Sequence, residues 1–493
     1  MVIGSAIQAI YGSLQLWGFY PSHHSLFKMS GSFFNPGPFA GYLASIFPVT
    51  LGLYIFKINP FPIIDKKLDL ANWIAGITLI AILMVLPASQ SRAAWMAVIV
   101  SSLMILMIRY PVGLWLKKYS WLKRGIVLLL VCGIIGASLF GLLRFKTDSA
   151  NGRLLIWKVT LSMVANHPLT GVGFDRFKTF YMNEQAGYFE QTPDSPEAMV
   201  AGDTNYCFNE FLQHTAENGL IGLLLLLAIL AYAFRVTNKR FNNLLWIAKA
   251  GIGGIAVFAL FSYPAQILPI KANLIAYLAC ISTLAEGKKE WIFIKKQAPI
   301  KYTLAVFSVG IIIICTVNLS IYRVACNNWK QAYQLHTRGY YAESLNYYEK
   351  GWSVLKTNGD YLTQYGKALN LAGKHEQAIK ILQQAVKYFP NIVVYTALGD
   401  SYKAQEKSGK AEQAYLRAWY MNPSRFYPKY LLAKLYDETG QAEKAIAIAT
   451  ELLNKEVKIE STAIDEIKAE MKKILQKYLG SPVGFKLQKW RSP

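Results

Sequence analysis

Arg92, Arg153, Glu210, His214 and Glu217 are the residues of this chain whose type and spacing could do chemistry. Residues 144–212 segregate their charge. Arg144, Lys146, Arg153, Lys158, Arg176 and Lys178 come first, and Glu184, Glu190, Asp194, Glu197 and Asp203 follow. Guanidinium groups grip phosphate oxygens bidentately, so the basic run suits a phosphate or pyrophosphate; the same charges also suit lipid headgroups. Further on, Glu210, His214 and Glu217 share one face by i+4 and i+3 spacing if the segment is helical. A carboxylate or imidazole placed there could take a proton from an attacking hydroxyl. His167 precedes Pro168 in a context that ends a helix, and His23-His24 has no third ligand placed beside it. Five cysteines (Cys132, Cys207, Cys280, Cys315, Cys326) form no CxxC or Cys/His cluster, so neither a disulfide framework nor a metal site is expected.

Apolar helices must position these residues. The 493 residues are 53% hydrophobic and 16% charged, well below the roughly 25% charged of a soluble domain. Aromatic content of 14% excludes a disordered chain. Stretches of about 20 apolar residues mark membrane spans: 38–57, 71–88, 93–109, 125–143, 219–236, 245–263, 265–283 and 302–322, with 3–19 as a weaker ninth. The latter lacks a basic leader, so it does not read as a cleaved signal. The short loops on one side carry 16 basic residues, among them Lys66, Lys67, Lys117, Lys118, Lys239, Arg240, Lys288 and Lys289; the short loops on the other hold Lys28, Arg92 and Lys271. The positive-inside rule makes the first set cytoplasmic. The N-terminus then lies inside, and both 144–212 and the tail after 322 lie outside.

The tail is periodic. Ala378, Ala411 and Ala445 are spaced 33 and 34 apart, and Pro390 and Pro423 are 33 apart. Tyr365-Gly366, Leu369, Ala378, Leu382, Ala385 and Pro390 in one repeat become Leu398-Gly399, Tyr402, Ala411, Tyr415, Ala418 and Pro423 in the next. This resembles the tetratricopeptide pattern. Weaker repeats begin near 325 and 426, and 460–479 reads as a closing amphipathic helix. Small residues let paired helices approach and each proline ends one. The expected fold is all-α: a polytopic transmembrane bundle over 1–324, a tetratricopeptide solenoid over 325–480, and a basic tail over 481–493. Such a solenoid offers a surface to a protein partner, and no nucleic acid is expected.

Four local patterns stand on the outer side. They are Gly31-Ser32-Phe33-Phe34-Asn35-Pro36 before Phe39-Ala40-Gly41, Ser91-Arg92-Ala93-Ala94-Trp95, Arg153-Leu154-Leu155-Ile156-Trp157 leading to His167-Pro168 and Gly171-Val172-Gly173, and Asn209 followed after nine residues by Gly219. In this order over about residues 10–285 they resemble the O-antigen ligase and polymerase superfamily, which includes bacterial O-oligosaccharyltransferases; some members also carry a trailing tetratricopeptide domain.

The resemblance implies transfer of a glycan from a polyprenyl diphosphate carrier to an acceptor on the outer membrane face, without metal, nucleotide or other cofactor. It implies diphosphate binding at Arg92 and Arg153, with Asn35, Trp157 and Asn209 in support. A single displacement predicts inversion at the anomeric carbon. The acceptor is a lipid A core, a growing polysaccharide or a protein. This sequence departs from the family at Phe208, where a histidine would precede the asparagine. Phenylalanine neither accepts nor donates a proton. Three readings follow: Glu210 or His214 takes the role, diphosphate departure drives the reaction with little activation, or the protein does not catalyse. The last makes the helices an anchor for a repeat scaffold in envelope polysaccharide assembly. A transporter of lipid-linked sugars is a further alternative; it would need charge within the spans, where Lys249 is the main candidate.

Overall fold

The computed structural model describes residues 1–58, 70–110, 147–286 and 298–480; the expected span at 125–143 and the basic tail at 481–493 lie outside them. Among the described residues every regular element is helical. The chain divides into two compact units, residues 1–174 with 206–290, and residues 175–205 with 291–493.

The first unit holds α1 (Val2–Leu16), α2 (Pro36–Phe56), α3 (Leu70–Val85), α4 (Arg92–Arg109) and α5 (Thr147–Asn166). After α6 (Phe177–Gln191), which belongs to the second unit, come α7 (Glu210–Arg235), α8 (Asn242–Ala259) and α9 (Leu268–Leu284). Helices α2, α4 and α8 pack mutually around Phe39, Leu43, Ala94, Ala97, Ile252 and Phe258. Small residues permit that approach: Phe258 lies against the Cα of Gly41, and Tyr277 against that of Gly251. Helix α2 begins where expected, because Asn35 Oδ1 accepts the Gly37 N–H at 2.9 Å and Pro36 fills the first turn, where its missing N–H costs nothing. Helices α2, α3 with its extension to Ser89, α4, α7 and α8 are long and apolar enough to cross a membrane, as is α10 from Ala305. The expected spans at 3–19 and 265–283 are the shorter helices α1 and α9. The chain is therefore a multi-pass membrane protein.

Lys249, the charge noted within a span, is buried in α8. Its ammonium donates to the carbonyls of Phe234 at 2.8 Å and Val236 at 2.6 Å. It thus satisfies carbonyls at the end of α7 that lack helical partners.

The second unit begins its array with α10 (Ala298–Thr337), 40 residues long. Its N-terminal half is exposed and apolar (Val306, Phe307, Ile311, Ile312), whereas Ala325 and Ala332 are buried. This C-terminal half pairs with α11 (Tyr341–Leu355). Antiparallel pairs follow: α12 (Gly359–Leu371) with α13 (His375–Tyr388), α14 (Ile392–Ala404) with α15 (Ser408–Met421), and α16 (Tyr427–Glu438) with α17 (Ala442–Asn454). Helix α18 (Thr462–Leu479) closes the array, burying Met471 and Ile474. The periodic alanines Ala378, Ala411 and Ala445 are wholly buried. Gly366 and Gly399 abut Leu382 and Tyr415 of the next helix, where any side chain would force the pair apart.

The same unit contains 175–205, part of the charge-segregated segment. Helix α6 lies chiefly on α15 and buries Phe177, Tyr181 and Phe189. Gln185, fully buried, accepts from the Tyr181 hydroxyl at 2.8 Å and donates to the carbonyls of Gly202 and Met421. Arg417 donates to the Asn183 carbonyl at 3.0 Å and lies 3.6 Å from Glu190, and Thr179 donates to the Tyr388 carbonyl.

Candidate functional site

Two arginines and their tryptophans frame the site in the first unit. Arg92 opens α4, and the Trp95 indole N–H, one turn on, donates to the Leu86 carbonyl at 2.8 Å, tying the start of α4 to the end of α3. Arg153 lies in α5, and Trp157 donates in the same way to the Cys207 carbonyl at 3.0 Å, tying α5 to the segment that leads into α7. Each Arg-to-Trp spacing therefore anchors the helical turn that carries its arginine. Burial first, then the Arg92 charge, holds Arg153 below the usual guanidinium range. Like charges in a partly buried place repel, and a bound anion relieves that cost.

Phe208 faces Arg153. Its backbone is left-handed, with φ of +55°, a conformation that costs a residue with a Cβ about 1–2 kcal/mol and persists where surroundings fix it. Its neighbours supply the restraint. The Cys207 N–H donates to Gln213 Oε1 at 3.0 Å, and Asn209 Oδ1 caps α7 by accepting the Leu212 N–H at 3.0 Å. The Phe208 ring then lies with its centroid 5.5 Å from the Arg153 guanidinium carbon and packs edge-on against Tyr263, itself stacked on Tyr206. Where a histidine would repel or titrate beside two guanidinium groups, this chain presents an aromatic face to a cation. Burial pushes the neighbouring Cys207 thiol up to about 12, so it is an inert apolar group.

Helix α7 is broken at Gly219, where φ is +67° and ψ −173°. The break frees the N–H groups of Leu220 and Ile221 and the carbonyls of Ala216 and Glu217, which an unbroken helix would pair. The strap 168–173 takes all four. Leu220 N–H donates to the Pro168 carbonyl at 2.9 Å and Ile221 N–H to that of Leu169 at 3.4 Å. Val172 and Gly173 N–H donate to the Ala216 and Glu217 carbonyls at 2.9 and 2.8 Å. Two lost helical bonds become four, and none of the four freed groups is stranded. A Cβ on Gly219 would fall on the Leu169 carbonyl, and one on Gly171 on the Glu217 backbone. The glycines noted in two separate sequence patterns are thus two halves of one interlock.

The segment 210–218 is helical, and Glu210, His214 and Glu217 sit on it as the spacing required. They differ in employment. Glu210 Oε2 accepts the Ala265 N–H at 3.2 Å, and its carboxylate faces Lys271 and Glu217 at electrostatic range. His214 spends both ring nitrogens on its own element, 3.3 Å from Asn218 Nδ2 and 3.2 Å from the Gly222 carbonyl, across the break. Glu217 accepts from Gln213 and is buried. Beside Glu210 a cavity of about 150 Å³ is lined by His214 and Lys271 and by apolar Leu226, Leu230 and Ile252. Among the described residues no group of three or more His, Cys, Asp or Glu could hold a metal ion.

Residues 77–227 match the O-antigen ligase family. That stretch contains Arg92, Arg153, the strap and the Gly219 break, and the match supports a membrane glycan-transfer role. Residues 359–392 and 392–425 match the tetratricopeptide repeat, in agreement with the two strongest repeats of the sequence, and such repeats serve protein interaction. No curated protein matches the chain. Among solved structures, one described as "Crystal structure of MamA protein" is 20% identical, with a TM-score of 0.25, over 31% of this chain and 89% of that one; a score this low carries no argument.

The ligase-like region brings together Arg92, Arg153 and Trp157 from α4 and α5 with Asn209 from the start of α7. Asn35 is spent on capping α2, as Asn209 is on capping α7. Tyr263, Tyr206 and Gln213 were missed by sequence reasoning. Tyr263 sits between two apolar stretches with no pattern to mark it. Only the departure at Phe208 signalled that an aromatic environment had replaced a titratable one.

Proposed function

We propose that this chain transfers a glycan from a polyprenyl diphosphate to an acceptor hydroxyl at the outer membrane face. The observation that carries this reading is the pair Arg92 and Arg153, held by their tryptophans near enough for their charges to interact. The acceptor oxygen attacks the anomeric carbon, and the bond from that carbon to the diphosphate oxygen breaks. The lipid diphosphate leaves with the bonding pair, its new charge met by the two guanidinium groups. One displacement inverts the anomeric centre. The acceptor proton goes to Glu210, whose carboxylate is oriented by the Ala265 N–H; His214 braces the break that positions it. The apolar cavity beside Glu210 suits part of an isoprenoid chain. The repeats and residues 175–205 form one compact unit, so they share one side of the membrane, which agrees with the outer placement drawn from the charge of the loops.

The test is transfer from lipid-linked donor in membranes. Arg92→Ala and Arg153→Ala each lower the rate on the order of 10²–10³-fold at normal protein level. Unchanged transfer in either overturns the diphosphate assignment.

Phe208 favours one other reading, a membrane-anchored repeat scaffold without catalysis. In that case the repeat array on an unrelated membrane helix restores envelope polysaccharide in a deletion strain, and both arginine variants are silent.

A further inference from the structure

The second unit has a cleft of about 540 Å³ that the proposed transfer does not use. Its volume is within the roughly 300–1,000 Å³ of small-molecule sites. Two facing walls build most of it. One wall is the start of α6 with the residues before it, Asp175 to Thr179. The other is the turn into α12, at Thr357 to Asp360, with the end of α13 at Lys387 to Phe389. The hydrogen bond from Thr179 to the Tyr388 carbonyl, 3.0 Å, joins the walls. Asn358 caps α12 through the Tyr361 N–H at 3.0 Å, so its side chain is fixed at the rim, and Phe389 is wedged against Gly359, where any Cβ would displace it.

The chemistry of the walls is mixed in a telling way. Arg176, Lys178 and Lys387 supply cations, but Asp175 and Asp360 supply carboxylates, and Lys178 is close enough to Asp360 for their charges to interact. A site for phosphate or a headgroup would not place two carboxylates at the anion. Carboxylates accept hydrogen bonds from hydroxyls, ammonium and guanidinium groups donate to hydroxyl and ring oxygens, and Asn358 and Thr357 can do both. The Tyr388 and Tyr322 rings add flat apolar surfaces of the sort that C–H-rich faces of a sugar cover.

We infer that this cleft is a saccharide subsite that takes a short hydroxyl-rich stretch of the acceptor glycan. The inference rests on the transfer reading above, which it extends by placing acceptor recognition on the repeat unit. Occupancy engages both walls at once.

The experiment uses the full chain in detergent micelles and oligosaccharides released by mild acid from the envelope polysaccharide of the producing cell. Binding is read by saturation-transfer NMR. Tyr388→Ala and Asp360→Asn weaken it tenfold or more at unchanged melting temperature, Lys387→Ala weakens it less, Arg153→Ala leaves it intact, and inorganic phosphate does not compete. Absence of a signal in the native protein, binding as strong as native in Tyr388→Ala and Asp360→Asn, or displacement by phosphate at matched concentration overturns the inference. The readout is independent of catalysis. Cleft-dependent binding without arginine-dependent transfer rejects the transfer reading alone, and the converse rejects the cleft alone.

Discussion

The stretch from His167 to Gly222 is held twice, by opposite means. At its two ends, in the first unit, strap 168–173 and the break in α7 are joined backbone to backbone, and the close approach requires glycine at 171 and 219. In its middle, in the second unit, α6 is held on the repeats by side chains: Gln185, Thr179, Arg417 and the buried rings of Phe177, Tyr181 and Phe189. A backbone interlock has one solution and fails when a single methyl is added. A side-chain clasp is a sum of modest terms, each of which can be weakened without loss of the whole. The site-bearing region is thus built to be rigid, and the contact with the repeats to be adjustable.

The sharpest way to break this contrast is Gly219→Ala. The added methyl meets the Leu169 carbonyl, and φ of +67° is unfavourable for alanine. The expected cost is about 4 kcal/mol or more, seen as loss of folded, membrane-extracted protein or of transfer. Normal yield and rate would mean the interlock is not rigid. Next in size is Gln185→Ala in the clasp. It removes the acceptor of the Tyr181 hydroxyl bond and the donor to the Met421 carbonyl, for about 1–3 kcal/mol. Since local opening governs proteolysis, cleavage within 175–205 of the full chain rises roughly 5- to 150-fold, while the repeats stay folded. Global unfolding instead would erase the distinction between the two regions.

Phe208 probes the rigid side more gently. Phe208→Leu keeps apolar bulk but removes the ring from Arg153, a contact of about 0.5–2 kcal/mol. Transfer falls roughly 2- to 30-fold, and Phe208→Tyr retains most of it. If Phe208→Leu is silent while Arg153→Ala is not, the ring does not position the guanidinium.

The sequence showed these regions unequally, for physical reasons. Spans and repeats were legible because burial imposes composition over 20 residues and a period near 33, as at Ala378, Ala411 and Ala445. Asn35-Pro36 gave the start of α2 because capping is local. The two arginines were legible by motif, and the resemblance already implied that they meet at one diphosphate. The clasp was not legible. Gln185 and Asn183 are ordinary polar residues on a helix, and their partners lie more than 230 residues away at Met421 and Arg417. Nor was the pairing of Gly171 with Gly219, since each glycine alone reads as a turn.

The smallest expected effect tests how adjustable the clasp is. Arg417 and Glu190 lie 3.6 Å apart, with the Glu190 side chain 58% exposed, so solvent and salt screen the pair. Arg417 also donates to the Asn183 carbonyl at 3.0 Å, a bond independent of the charge at 190. Arg417→Ala should therefore loosen α6 more than Glu190→Ala does. The double variant isolates the ion pair, at about 0.2–1 kcal/mol, and this coupling shrinks as salt rises. Protease cleavage of the full chain within 175–205 measures all three variants on one scale. A coupling above about 2 kcal/mol that is insensitive to salt would mark a desolvated pair, and the clasp would then be as fixed as the interlock.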